Sequence, residues 1–237
     1  CDRKRTRKMK KLKVTALGDS ITKGVVLTDQ DRYTVTQQSF MDMVGEKLGM
    51  DIVNCGKFGS TVSMGDKIIS RHIKDISESH YTFIEYGGND CDFDWMKIAD
   101  APAEEFAPKT SLEDFRVRFI GLIKRIRELG STPVIISLPP ILSDRYFSYF
   151  SSRMTERQKE NVIRWLGGDV GIISRWHETY NRSLFVIAGQ TQTEIIDVTA
   201  PFDTFRGDLK TLFCADGIHP NVYGYRLIAD AIIRRYI

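Results

Sequence analysis

Short apolar runs alternate along the chain with segments of helical periodicity. Five runs have the length and β-branched content of buried strands, at 12–17, 51–53, 81–86, 133–138 and 193–198. Helical spacing predicts helices over 37–48, 64–76, 112–129, 155–166 and 170–187, and a last helix that begins at 220 or 221. Strands that alternate with helices in this way predict an α/β protein, in which a parallel sheet is covered by helices on both faces.

The composition changes little from residue 12 to residue 237, where no repeat or low-complexity linker interrupts the pattern. We therefore predict one domain over 12–237, with a helical insertion at about 141–192. The apolar runs fall far short of the roughly 20 residues that a membrane-spanning helix needs. No membrane span is expected.

The formal net charge of +3 comes from the N-terminus. Residues 1–13 hold 8 of the 34 basic and 1 of the 31 acidic residues, which leaves 26 basic and 30 acidic residues, a net charge of −4, for the rest. We interpret 1–11 as a basic tail, either a disordered leader or a segment foreign to the chain, with Met9 as a natural start. A cytoplasmic location is expected. The alternative is a secreted or lipid-anchored protein that carries lipid on Cys1.

The basic tail is the one feature that favours a nucleic-acid partner, and none is expected for the mildly acidic remainder. The four cysteines form no C-x-x-C pair, and the acidic run at 90–94 lacks the downstream Gly and Glu of a calcium loop. We therefore predict no metal and no cofactor. The sequence does not determine the oligomeric state.

Residues that could take part in catalysis follow the predicted strands. Ser20 follows the first strand, Gly59 the second and Asn89 the third, while Asp216 and His219 lie beyond the fifth. In a parallel sheet, ligands bind at the carboxyl ends of the strands, so these residues are expected to converge. Each motif alone is more typical of a turn or a helix cap than of a catalytic site.

Four blocks in order carry a resemblance to a known family. They are Leu-Gly-Asp-Ser-Ile-Thr-Lys-Gly at 17–24, Asn-Cys-Gly-Lys-Phe-Gly-Ser-Thr at 54–61, Gly-Gly-Asn-Asp at 87–90 and Asp-Gly-Ile-His-Pro at 216–220. The chain resembles the GDSL family, the SGNH-hydrolase superfamily of esterases and lipases, over almost its whole length. Ile21 replaces the leucine of the family motif. The resemblance implies a three-layer α/β/α sandwich on a flavodoxin-like, five-stranded parallel sheet.

The resemblance also implies roles for the block residues. Ser20 would be the nucleophile, His219 its base, and Asp216 the group that orients the imidazole, an arrangement that suits acyl transfer. The oxyanion hole would consist of the backbone N–H groups of Ser20 and Gly59 and the side-chain amide of Asn89. Gly56, the first glycine of its block, is expected to permit the turn.

Other polar residues are expected to have structural roles. Asp19 is predicted to bond backbone amides of its loop, and Asp90 to stabilise a turn. The remaining histidines, His72, His80 and His177, are predicted to lie on the surface.

The substrate is less defined by the sequence. Tyr146, Phe147 and Tyr149 are candidate pocket residues in the insertion, whereas Trp165 and Trp176 could line a pocket or pack the added helices against the body. We predict a small-molecule ester, with acetyl groups on carbohydrates preferred and a lysophospholipase- or thioesterase-type lipid acylhydrolase as the alternative. A non-enzymatic, flavodoxin-like binding module is disfavoured, because a phosphate loop would place its glycines after the first strand.

Overall fold

The fold is built on a central parallel sheet. We describe residues 11–237 in a computed structural model, whose strands are β1 (Lys13–Gly18), β2 (Val25–Leu27), β3 (Tyr33–Val35), β4 (Asp51–Asn54), β5 (Tyr81–Glu85), β6 (Thr132–Ile136) and β7 (Glu194–Ile196). The sheet has the order β4-β1-β5-β6-β7, and all its neighbours are parallel. Strands β2 and β3 form a separate antiparallel hairpin.

Helices connect the strands and cover both faces of the sheet. They are α1 (Ser20–Lys23), α2 (Phe40–Leu48), α3 (Val62–Arg71), α4 (Ile73–Ser77), α5 (Trp95–Asp100), α6 (Leu112–Glu128), α7 (Ser143–Phe150), α8 (Glu156–Trp165), α9 (Ile172–Thr191), α10 (Ala200–Asp203) and α11 (Val222–Tyr236), with a 3₁₀ turn at Leu209–Leu212.

The alternation of side chains along β1 shows how the core divides into two layers. Val14 and Ala16 point to one face and pack with residues of α2 and α11. Leu17 points to the other face and packs with residues of α3, α6 and α9. Both faces are buried, which explains why the strands read as apolar runs without alternation.

The predicted α/β/α sandwich with a five-stranded parallel sheet is confirmed, and the five predicted strands occur with bounds shifted by a few residues. The helix predicted over 64–76 is two helices, α3 and α4, because the backbone leaves the helical conformation at His72 (φ −120°, ψ 26°). The β2–β3 hairpin and the short helices α1, α5 and α10 were not predicted.

The segment between β6 and β7 contains three helices, α7, α8 and α9, where the sequence predicted two. The additional helix, α7, is held close to the loop that carries Asp216 and His219. The backbone N–H of Leu142, at the start of α7, donates to the carbonyl of Gly217 at 2.8 Å. The insertion therefore lies beside the functional edge of the sheet.

Within residues 11–237, no helix is both long and apolar enough to cross a membrane. The expectations for the basic tail and for lipid on Cys1 fall on residues 1–10, outside the residues that the structure describes.

Candidate active site

Three polar side chains meet at the carboxyl edge of the sheet, Ser20 from near the start of the chain and Asp216 and His219 from one loop near its end. Nε2 of His219 lies 2.9 Å from Oγ of Ser20, and Nδ1 of His219 lies 2.7 Å from Oδ2 of Asp216. Asp216 is fully buried, and His219 and Ser20 are 3% and 7% exposed. Such a chain of contacts can take a proton from the serine hydroxyl and stabilise the resulting imidazolium.

Ser20 is positioned by the tight passage from β1 into α1. Its predecessor Asp19 caps α1, because Oδ1 of Asp19 accepts a hydrogen bond from the backbone N–H of Ile21 at 2.8 Å. A Cβ atom on Gly18 would lie 2.0 Å from Oγ1 of Thr22, so no larger residue fits before the Asp-Ser pair. This bond is of the kind that the sequence predicted for Asp19, namely to a backbone amide of its own loop.

Asp216 and His219 lie on one short loop whose geometry the carboxylate organises. Oδ1 of Asp216 accepts from the backbone N–H groups of Ile218 and His219, at 3.2 and 3.1 Å. Burial by itself raises the pKa of Asp216, but the hydrogen bonds and charge of His219 outweigh it and hold that pKa below its ordinary value. Gly217 has φ of +73°, and a Cβ there would lie 2.6 Å from Cβ of Arg145, which explains the glycine of this block.

The second block forms the other side of the site. Gly59 has φ of +67° and lines the same cavity as Ser20. Gly56 was expected to permit the turn through its backbone conformation, but its φ is not positive. A Cβ on Gly56 would instead lie 2.5 Å from the backbone N of Lys23, so close approach to α1 explains this glycine.

Asn89 follows β5 and is held by Asp19, the residue before Ser20. Its Nδ2 donates to Oδ2 of Asp19 at 2.9 Å. This bond turns the NH2 group of Asn89, rather than its carbonyl, toward Asp19. Asp19 therefore supports two elements, the start of α1 and the amide of Asn89.

A buried carboxyl that the sequence analysis missed lies beneath this loop. Glu85, at the end of β5, is 2% exposed, and its Oε2 accepts from Oγ1 of Thr22 at 2.8 Å. Its Oε1 has no hydrogen-bond partner among the described residues. Burial, followed by the charge of Glu85, raises the pKa of Asp19 well above its usual range, and burial also raises the pKa of Glu85. The two carboxyl groups therefore retain a proton to higher pH than exposed carboxyls do.

This carboxyl pair leads to a prediction about stability. The pKa of Glu85 is raised in the folded state, so at pH values above its unfolded-state pKa of about 4.3 its ionisation lowers the free energy of unfolding. At lower pH, where Glu85 is protonated in both the folded and the unfolded state, this effect disappears. We expect Glu85→Gln to unfold at a higher temperature than wild type at pH 8, by a few degrees (about 2–4 °C for each kcal/mol), with the gap closing toward pH 4. Differential scanning calorimetry from pH 4 to 8 measures it. Glu46→Gln, at an exposed position of α2, is the matched control; a gap that does not grow with pH would contradict the prediction.

A cavity of about 460 Å³ opens beside Ser20 and His219. We call it the aromatic cavity, because six aromatic side chains from α5, α7, α8, α9 and the loop before α5 form the wall away from Ser20. These six are Phe93, Trp95, Tyr146, Phe150, Trp165 and Trp176. Of the three candidate pocket residues, Tyr146 and Tyr149 line the aromatic cavity, whereas Phe147 does not and packs against Phe150. Trp165 and Trp176 of the insertion, whose role the sequence left open, also line the cavity.

Two further aromatic residues flank His219 and were missed by the sequence analysis. The ring of Tyr33, on β3, lies 5.2 Å from that of His219, and the ring of Phe58 stacks on it at 6.1 Å. Phe58 stands one residue before Gly59 in the second block, a position that could have indicated it. Tyr33 gave no such signal, because it depends on the three-residue strands of an unpredicted hairpin.

The prediction of a surface position was wrong for His177. It is 6% exposed and lines the aromatic cavity from α9. The spacing of Ile173, His177, Tyr180 and Leu184 along one buried helical face could have found it. Burial lowers the pKa of His177 to about 4, so this imidazole is uncharged at neutral pH. His80 is exposed and His72 is partly so.

The remaining carboxylate of the third block has a structural role, but it holds the start of α3 through its side chain rather than the turn for which it was predicted. Both oxygens of Asp90 lie 3.1 Å from the backbone N–H of Val62 at the start of α3. Burial raises the pKa of Asp90 to about 6. Among residues 11–237, no group of three or more His, Cys, Asp or Glu side chains has the arrangement of a metal site.

The comparison with protein families agrees with this geometry. The model of the GDSL-like lipase/acylhydrolase family matches residues 16–227. The chain belongs to this family. The match spans all four blocks, and the resemblance predicted from them is confirmed. A search of curated proteins found no match.

Solved structures of low sequence identity share the fold. A lipase/acylhydrolase from Enterococcus faecalis is 18% identical, with 94% of each chain covered and a TM-score of 0.60. A catalytic mutant of Axe2, an acetylxylan esterase from Geobacillus stearothermophilus, is 21% identical, with 94% of this chain and 93% of that chain covered and a TM-score of 0.62. A candidate SGNH hydrolase from Slackia heliotrinireducens is 17% identical, covers 96% and 100% of the two chains, and has a TM-score of 0.60.

Membership of the family identifies the chain as an enzyme, a carboxylic ester hydrolase of the GDSL/SGNH type. The alternative of a non-enzymatic flavodoxin-like binding module is thereby set aside.

Proposed function

We propose that the enzyme hydrolyses carboxylic esters through an acyl-enzyme intermediate on Ser20, with His219 as base and Asp216 as its orienting partner. The observation that supports this most strongly is the continuous pair of contacts from Asp216 to His219 (2.7 Å) and from His219 to Ser20 (2.9 Å). These are hydrogen-bonding distances for nucleophile, base and orienting group.

In the first step, Oγ of Ser20 attacks the ester carbonyl carbon while Nε2 of His219 takes the hydroxyl proton. Nδ1–H of His219 donates to Asp216, which holds the tautomer that leaves Nε2 free to accept. The negative charge of buried Asp216 then stabilises the imidazolium without taking its proton.

The carbonyl oxygen becomes an oxyanion that needs hydrogen-bond donors. We assign these to the backbone N–H groups of Ser20 and Gly59 and to the side-chain NH2 of Asn89. Ser20 is the first residue of α1, where backbone N–H groups lack acceptors within the helix. Asn89 carries two N–H bonds; one donates to Asp19, and the second is available to the oxyanion.

The tetrahedral intermediate collapses when the C–O bond to the alcohol breaks and His219 gives its proton to the leaving oxygen. The acyl group then remains on Ser20. A water molecule, deprotonated by His219, attacks this ester, and the reverse sequence releases the carboxylic acid and restores the Ser20 hydroxyl.

Acetyl esters of carbohydrates are one candidate class of substrate, which the acetylxylan esterase among the structural relatives supports. A lipid-type acylhydrolase is the second candidate, which the aromatic cavity favours. Turnover of acetylated xylooligosaccharides and of p-nitrophenyl acetate tests the proposed function. We expect release of acetate from at least one of them; no turnover of any ester would contradict the proposal.

The assignment of Asn89 predicts a specific kinetic defect. Removal of one oxyanion donor costs about 2.7–4 kcal/mol of transition-state stabilisation, so Asn89→Ala should lower kcat by roughly 10²–10³. KM should change little, because the lost bond forms with the oxyanion rather than with the bound ester. Steady-state kinetics on p-nitrophenyl acetate, with thermal unfolding to verify the fold, measures the effect. Turnover near the wild-type rate would exclude Asn89 from the site.

A further inference from the structure

The aromatic cavity adjoins Ser20 but is much larger than an acetyl group requires. A water molecule takes up about 30 Å³ in the liquid. By comparison, a cavity of about 460 Å³ has room for a chain of several carbons besides the ester itself. The volume also lies in the range of ordinary small-ligand sites, about 300–1,000 Å³.

The wall of the aromatic cavity is closely packed around Trp95. Its ring stacks on Phe150 at 4.7 Å and meets Trp165 at 6.3 Å, while Phe93 lies 5.2 Å from Trp165 and 6.1 Å from Trp176. Aliphatic side chains such as Ile173 and Leu166 complete the wall. The wall is therefore formed mainly by carbon atoms.

Four polar side chains of this wall, Asp92, Trp95, Tyr146 and Trp176, already have hydrogen-bond partners in the protein. Oδ1 of Asp92 accepts from Nε1 of Trp95 at 2.9 Å and from the hydroxyl of Tyr146 at 2.8 Å. Its Oδ2 accepts from Nζ of Lys109 at 2.8 Å, which balances the carboxylate charge, and Nε1 of Trp176 donates to the carbonyl of Cys91 at 3.0 Å. These hydrogen-bonding groups therefore bond within the protein and are not available to a ligand.

The absence of free charge on this wall decides between ligand classes. His177 is uncharged at neutral pH, and Asp92 is paired with Lys109. A sugar would bury several hydroxyls against a wall made mainly of carbon atoms, and a buried hydroxyl without a partner is unfavourable. A hydrocarbon chain has no such penalty and gains from contact with the aromatic rings.

Resting on the proposed function, we infer that the aromatic cavity binds an apolar part of the ester, of about six to ten carbons, and that this part determines substrate selectivity. It belongs either to the acyl group or to the alcohol.

Three esters separate these sources: ethyl acetate, methyl octanoate and octyl acetate, each followed in a pH-stat. Each buried methylene is worth about fourfold, from about 0.8 kcal/mol. We expect kcat/KM for at least one of the eight-carbon esters to exceed that for ethyl acetate at least tenfold. A preference for methyl octanoate assigns the cavity to the acyl group, and a preference for octyl acetate assigns it to the alcohol.

Two variants test whether this selectivity arises in the aromatic cavity. Ile173→Trp fills the cavity, and Trp165→Ala removes part of its wall. Both should lower the ratio of the long-chain to the ethyl acetate kcat/KM at least tenfold. Val186→Trp places the same ring at an exposed position of the same helix, α9, and should leave that ratio unchanged.

Two outcomes overturn the inference while leaving the proposed function intact. One is ethyl acetate hydrolysed as efficiently as both eight-carbon esters. The other is a ratio that neither Ile173→Trp nor Trp165→Ala changes. Failure to hydrolyse any of the three esters, with no covalent labelling of Ser20 by a fluorophosphonate, would contradict the proposed function and this inference with it.

Discussion

Ser20→Ala should abolish nearly all turnover, with kcat lower by roughly 10⁶, as in serine hydrolases that lose their nucleophile. Alanine has no hydroxyl to make the 2.9 Å contact with Nε2 of His219 and no atom that can attack the ester. The residual rate would come from the oxyanion hole and from substrate binding alone. Burst and steady-state kinetics with p-nitrophenyl acetate measure the fall in kcat and the residual rate.

The matched control is Ser63→Ala, at an exposed position of α3, which should retain wild-type kcat. Both variants should unfold within a degree or two of wild type, because a single hydroxyl is removed in each. If Ser20→Ala kept more than about a hundredth of wild-type kcat, another residue would have to be the nucleophile.

The second large effect concerns Asp216. Asp216→Asn keeps the shape of the side chain but can turn an NH2 group toward Nδ1 of His219, which then must accept and leave its proton on Nε2. In that tautomer His219 cannot take the proton of Ser20. We expect kcat to fall by about 10⁴, the loss seen for this change in a serine protease triad, with KM little affected.

Asp230→Asn, at an exposed position of α11, controls for the general effect of removing a carboxylate. Kinetics of the two variants on one p-nitrophenyl ester decide the matter. A kcat for Asp216→Asn within tenfold of wild type would mean that the 2.7 Å contact with His219 does not set its tautomer.

Sequence reasoning predicted the parallel sheet and the convergence of Ser20, Asn89 and His219 at one edge of it. This was possible because both depend on local patterns, namely apolar runs of strand length and short motifs directly after them. Parallel strands bring their carboxyl ends together whatever the intervening chain does. The contact between residues 20 and 219 follows from that rule.

The aromatic cavity could not be predicted in the same way. Phe93 and Trp95 stand in an acidic stretch that gave no helical signal, and α5 has only six residues. They line the cavity because α5 packs against α8 of the insertion, a contact that no local pattern encodes. Tyr33 likewise reaches His219 only through the folding of a short hairpin.

Glu85 shows a different limit of sequence reasoning. A carboxyl at the end of a buried strand is expected to reach solvent, yet the chain places it beneath Asp19, where both are 2% exposed. The contact depends on the register of β1 against β5, which sets Gly18 opposite Glu85. That register is a tertiary property and carries no sequence signal.

The central claim, that Ser20 is the activated nucleophile, is tested most directly by covalent labelling with a fluorophosphonate and peptide mass spectrometry. An activated serine displaces fluoride and gains one phosphonyl group, whereas ordinary serines do not react. We predict a single label on the peptide that contains Ser20, much slower labelling of Asp216→Asn, and none of Ser20→Ala. A label on a different serine, or hydrolysis of esters without labelling of Ser20, would contradict the claim.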